Sequence, residues 1–286
     1  MNIKLSYHWA AAALLAIATG CSNDNITPET KPDSGKPETT QVSFIAGNEG
    51  TRTSLDYDNG DFYWEDGDRI FVEDDDHTFH ASSNNVSGTQ VSHFKFMMPG
   101  KYAANEYLVY YPGKNGTNNQ VTISANQTQT EPDNTLHFGT SGDCGTGKAT
   151  RQTNGQYTFK LTHSAAYLCF KPTFDHPLAS TYVTKIEVTA DQPIAGSSYT
   201  LNTDGKLTGT GSSTTITLNL KGTGSYAKGF PMQNDATGKK CAAGRMFMVM
   251  MPGKYKLTVK YYVTDTETQV SGVITKKFPA FEYGAN

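Results

Sequence analysis

Several clusters of residue types invite a chemical reading. Gly142-Asp143-Cys144-Gly145-Thr146-Gly147-Lys148 has the G-x-x-x-x-G-K spacing of a phosphate-binding loop. In such loops backbone N–H groups wrap the phosphates and a following Ser or Thr holds Mg²⁺. Here Ala149 stands at the hydroxyl position and no helical pattern follows, so the run reads as a plain glycine-rich loop. Asp56-Tyr57-Asp58-Asn59-Gly60-Asp61 begins like a calcium loop, but Gly takes its fifth position, Asp its sixth, and no Glu its twelfth. It reads instead as an Asn-Gly or Asp-Gly turn ahead of Phe62-Tyr63-Trp64. Glu73-Asp74-Asp75-Asp76 gathers hard oxygen donors of the kind Ca²⁺ takes, and the simpler expectation is a solvated loop.

His163-Ser164 sets a base beside a hydroxyl, yet neighbours on a strand point to opposite faces and no G-x-S-x-G elbow is present. His77, His80, His93, His137 and His176 show no metal-ligand spacing. Trp64 is the candidate for stacking on a sugar, weighed against the burial usual for a Trp in a hairpin. These residues predict no enzyme, no metal site and no cofactor.

The elements that carry them begin with an export signal. Lys4 is a small positive n-region, Trp9 to Ala18 is almost purely apolar, and Ala18-Thr19-Gly20 leads into Cys21. The apolar run is short for a membrane span and reads as a signal h-region. Small residues before a cysteine give the layout of a bacterial lipobox, so residues 1–20 are read as a lipoprotein signal and Cys21 as the lipidated residue. Ala rather than Leu stands three residues before Cys21. The expected location is the cell surface, on the outer membrane. Residues 21–40, with three prolines and many small polar residues, read as a flexible tether.

The chain has 286 residues and a formal net charge of −3, which gives no electrostatic footprint for nucleic acid. Turn residues recur at short intervals and long amphipathic helical patterns are absent, so the fold class is all-β. The cysteines after Cys21 are Cys144, Cys169 and Cys241; Cys169, in an apolar run, reads as a core residue, and a Cys144–Cys241 bridge stays open.

One segment recurs. Phe94-Lys95-Phe96-Met97-Met98-Pro99-Gly100-Lys101-Tyr102 reappears as Phe247-Met248-Val249-Met250-Met251-Pro252-Gly253-Lys254-Tyr255. Pro-Gly between β-rich runs marks a type II turn, Pro fixing φ and Gly taking the positive φ. The repeat predicts two related β-sandwich domains, 41–172 and 173–286. Strands are expected at 42–46, 61–64, 69–73, 91–98, 106–111, 120–124, 156–161 and 165–171. In the second half they are expected at 182–190, 198–203, 214–220, 245–251, 255–264 and 269–278.

With these residues in view, the chain resembles the fimbrillin family of Bacteroidota lipoproteins, the pilin subunits of type V pili. The resemblance runs through Thr51-Arg52-Thr53 and Phe62-Tyr63-Trp64-Glu65-Asp66-Gly67-Asp68-Arg69-Ile70-Phe71-Val72, similar to the family's T-R-T … W-x-x-G-D-x-I-x-V opening. It continues in Phe159–Leu168 and in Pro193-Ile194-Ala195-Gly196. It implies two transthyretin-like β-sandwiches and an Arg-specific cut that removes anchor and first strand together. A strand of a neighbouring pilin subunit would then fill the groove left behind. Carried onto this chain, the scissile bond is Arg52–Thr53 and the removable strand is the one carrying Val42, Phe44 and Ala46. Family members continue with a further strand beyond the position of Phe278-Pro279-Ala280-Phe281, whereas this sequence stops at Asn286. The alternative is an uncleaved lipoprotein, held in the membrane through Cys21, that binds a glycan or host ligand as a monomer.

Overall fold

The chain is all-β, and its alternating apolar residues feed two cores. The computed structural model describes residues 41–47, 54–56, 61–176 and 180–285. Cys21, the 21–40 tether and the Arg52–Thr53 bond lie outside the described residues. In chain order the strands are β1 (Val42–Ala46), β2 (Ser54–Asp56), β3 (Asp61–Tyr63), β4 (Phe71–Glu73), β5 (Phe79–Ala81), β6 (Lys95–Met98) and β7 (Glu106–Tyr111). β8 (Gln120–Ile123) and β9 (Asn126–Gln129) precede a single helical turn, α1 (Phe138–Ser141). Then come β10 (Gly145–Arg151), β11 (Tyr157–Phe159), β12 (Thr162–His163), β13 (Ala166–Phe170), β14 (Thr173–Phe174) and β15 (Thr181–Ala190). β16 (Gly196–Leu201), β17 (Leu207–Gly209), β18 (Thr215–Leu220), β19 (Phe230–Pro231), β20 (Gln233–Asn234) and β21 (Cys241–Ala242) follow. The last three are β22 (Met246–Met250), β23 (Gly253–Asp265) and β24 (Ser271–Tyr283).

The first core lies on a sheet ordered β5-β4-β7-β10-β11-β1-β6, with β12 also pairing β10. It takes Phe44, Ala46, Trp64, Val72, Phe96 and Tyr157, among others. The second core draws on a sheet ordered β24-β23-β15-β18-β9, on β17-β16-β8, and on the pair β13–β22. Strand alternation explains how β7 serves both. Val109 and Tyr111 enter the first core, while Tyr110 points the other way into the second.

The two cores do not divide at 172/173. β8 pairs β16, β9 pairs β18, and β13 pairs β22, so three segments before residue 173 complete the second core. Each strand that leads into a Pro-Gly turn also pairs antiparallel with another strand, β6 with β1 and β22 with β13.

The repeat itself is preserved in bonding. Gly100 and Gly253 both take positive φ, 114° and 152°. The Tyr102 hydroxyl donates to the Pro99 carbonyl and the Tyr255 hydroxyl to the Pro252 carbonyl, each at 3.1 Å. One residue on, the Ala103 amide donates to the Asp75 carboxylate and the Lys256 amide to the Asp191 carboxylate. Two copies of one turn therefore carry the same tyrosine brace and the same acidic latch.

β10 was expected as a loop. Its glycines instead make room for a neighbouring backbone: a Cβ on Gly145 would come within 2.5 Å of the Thr162 carbonyl oxygen, and one on Gly147 within 2.1 Å of that of Lys160. At the other end, β24 runs past the expected 278 to Tyr283 because Pro279 falls in an irregularity opposite Lys256, where no ladder donor is needed. Among the described residues no helix is long and apolar enough to cross a membrane.

Candidate functional site

The candidate site is the slot that β1 fills. β1 runs parallel to β11, with Phe44 opposite Tyr157 and Ala46 opposite Phe159, and antiparallel to β6, with Val42 opposite Met98 and Phe44 opposite Phe96. Both of its edges are therefore bonded. Beyond the ladder, the Ala46 amide donates to the Phe94 carbonyl at 3.1 Å and the Gly47 amide to that of Phe159 at 2.9 Å. Phe44 and Ala46 are fully buried, Val42 half-buried.

Three tyrosines enclose Phe44. Its ring stacks on Tyr157 with centroids 4.7 Å apart and meets Tyr102 and Tyr107 edge-on at 5.2 and 6.3 Å. The hydroxyls hold the cage from outside. Tyr157 donates to the Ala104 carbonyl at 2.6 Å, Tyr107 donates to the Asp75 carboxylate, and Tyr102 donates to Pro99. Burial raises the pKa of all three phenols; that of Tyr107 is pushed up to about 12 by burial and by its bond to Asp75. The phenols thus remain neutral donors, and their hydrogen bonds hold the rings around Phe44.

Other edges are sealed by side chains. On β6 the Asn84 amide bonds the Met97 N–H and the Lys95 carbonyl, at 2.8 and 2.9 Å. On β22 Gln127 accepts from the Val249 N–H at 2.9 Å and donates to its carbonyl at 2.6 Å. Gln129 bonds the Phe247 N–H and the Arg245 carbonyl, and His137 Nε2 reaches the Phe247 carbonyl at 2.9 Å. These amides imitate a strand while belonging to β9, in the middle of the chain.

Trp64 does not offer a face to a ligand. It is fully buried, meets Phe96 and Tyr111 edge-on at 5.1 and 5.6 Å, and bridges Val91 through both backbone groups. The stacking reading is corrected accordingly: apolar area and ring contacts place the indole in the core. The neighbouring Glu65-Asp66-Gly67-Asp68 is a structural turn. The buried Asp68 carboxylate accepts from the Glu65 amide at 2.7 Å and the Tyr111 hydroxyl at 2.8 Å.

The acidic loop is likewise occupied from within. Asp74 accepts from the amides of Asp76, Thr78 and Lys101 and pairs with His80 Nε2 at 3.1 Å. Burial acts to raise its pKa, but these donors outweigh it and the net shift is downward. Asp76 pairs with Lys101 at 2.7 Å. Among the described residues no group of His, Cys, Asp and Glu is arranged to hold a metal ion.

His163 and Ser164 do not combine. His163 Nδ1 lies 2.9 Å from Asp143, in a buried cluster with Tyr167, whereas Ser164 donates to the Gly205 carbonyl. Cys169 is exposed, contrary to expectation, because β13 turns that side outward; Cys144 is buried and is not in a disulfide. A cleft of about 690 Å³ beside β20 and β21 is lined by Lys171, Gln233, Asp235, Lys240 and Arg245, with no aromatic ring.

No protein-family model and no curated protein matches the chain. Among solved structures, a candidate cell adhesion protein from Bacteroides fragilis NCTC 9343 is similar at 11% identity. The match covers 86% of this chain and 90% of that one, with a TM-score of 0.43. The fimbrial anchor protein Mfa2 from Porphyromonas gingivalis is similar at 9% identity over 85% of this chain and 82% of that one, with a TM-score of 0.35. Likeness at this level carries no weight for function, which has to rest on the site itself.

Proposed function

We propose that the chain is a fimbrillin-like, non-enzymatic subunit of the cell surface, exported as a lipoprotein through Cys21 and assembled by strand exchange. An Arg-specific cut at Arg52–Thr53 removes β1, and a strand of a neighbouring subunit takes its place. One observation carries this reading: β1 is bonded on both edges and buries Phe44 in a core, yet among the described residues it is joined along the chain to the rest of the fold on one side alone, before β2. One cut there frees an entire strand. Its departure leaves unpaired ladder groups on β6 and β11 and an open tyrosine cage, and an added strand satisfies both.

The test is intact mass and N-terminal sequencing of protein recovered from its native cells. The expected product begins at Thr53 without lipid, and Arg52→Ala keeps an acylated Cys21 and stays membrane-bound. A wild-type protein that begins at acylated Cys21, or normal processing of Arg52→Ala, refutes the cleavage.

A further inference from the structure

The slot is graded in size along β1. Phe44 and Ala46 share one face of the strand, and both are wholly buried. Around Phe44 the three tyrosine rings leave a space shaped for a flat ring, with Tyr157 parallel to it at an interplanar angle of 12°. Two residues on, the side chain is a wholly buried alanine. Ala46 lies opposite Phe159, in the core that also packs Trp64 against Phe96 at 5.1 Å and Phe94 against Phe96 at 4.8 Å. A larger side chain at that wholly buried position overpacks the core. Val42 is only half-buried, so the third position on this face discriminates less.

We infer that the slot selects its occupant by an aromatic-x-small pattern: an aromatic ring for the Tyr102–Tyr107–Tyr157 cage, then Ala or Gly two residues later. The partner is an extended strand of that chemistry, and segments with aliphatic or large residues at these positions are rejected. This inference rests on the proposal that the slot can be emptied and refilled.

The receiver for the test is the full chain carrying Phe44→Ala, whose own strand no longer fills the cage. Fluorescently labelled synthetic peptides spanning Gln41–Gly47 are titrated against it, and binding is read by anisotropy. The wild-type peptide is expected to bind. The peptide with Phe44→Ala should bind about 100-fold more weakly or worse, from the usual cost of emptying a buried aromatic site. The peptide with Ala46→Phe should bind at least about 10-fold more weakly, from overpacking. If Phe44→Ala does not fold, the Phe44→Leu chain, which keeps an apolar side chain, serves as receiver. Equal binding of all three peptides overturns the size selection and leaves strand exchange standing. Failure of every peptide, the wild-type sequence included, overturns the replaceable slot and this inference with it.

Discussion

His137 makes the seal on β22 sensitive to pH in a calculable way. It is 9% exposed, and its Nε2 donates to the Phe247 carbonyl, which fixes the neutral tautomer with the proton on that nitrogen. Nδ1 has no partner. Protonation would bury a cation and an unbonded N–H together, so burial lowers the pKa from 6.5 to about 4, partly opposed by the Phe247 bond. The sign follows from linkage. The unfolded chain takes up this proton below about pH 6.5 while the folded chain resists it until about pH 4. Stability from His137 is therefore complete above the unfolded pKa and is lost as pH falls between the two values. From about pH 7.5 to about pH 4.5 the loss is about 2.5 kcal/mol. The assay is urea unfolding of the wild type and of His137→Gln, whose amide can still donate to Phe247, at both pH values. Subtracting the two proteins removes titrations they share. The stability difference should move by about 2.5 kcal/mol, with the wild type losing more in acid. A difference that stays flat across this window refutes the buried neutral imidazole.

Two more outcomes test the packing argument. Gln127→Leu should cost about 2–4 kcal/mol in chemical denaturation, since it strips both the Val249 N–H and carbonyl of buried partners; an unchanged midpoint would mean that water replaces the amide. Trp64 should emit as a buried indole whose fluorescence saccharides leave unchanged, and Trp64→Ala should lose about 3–5 kcal/mol; a saccharide-dependent quench would restore the ligand-binding alternative.

What was legible in the sequence was whatever a strand announces locally. Val42–Ala46 and Glu106–Tyr111 show clear β-character and were bounded to the residue. The repeated Pro-Gly segment foretold two matching turns, and the positive φ values of Gly100 and Gly253 follow from that chemistry. Glycine misled at β10, because Gly145 and Gly147 serve close approach of the 160–162 backbone rather than a loop. The 172/173 division failed for a related reason: Gln120–Ile123 and Asn126–Gln129 look like any polar hairpin, and their pairing with β16 and β18 is a long-range fact without a local mark. The same holds for the site. Phe44 could be read as an inward residue, but its tyrosines come from two separate stretches, 102–107 and the strand carrying Tyr157.

The difference between the two cores is a difference in what can be undone. On β22, Gln127 and Gln129 occupy the position of a missing strand with four hydrogen bonds, the two amides bonding in both directions. They belong to β9, which is covalently continuous on both sides and itself paired with β18. Opening that edge would require two cuts or the loss of a sheet strand. On the first core the corresponding partner of the turn-forming strand is β1, which brings a backbone of its own and a buried ring, and which a single cut between residues 47 and 54 would detach. β1 has five residues and is held both by backbone pairing on its two edges and by the burial of Phe44 in its cage. The same sheet chemistry is thus applied once through side chains in mid-chain and once through a separate strand with its own buried ring.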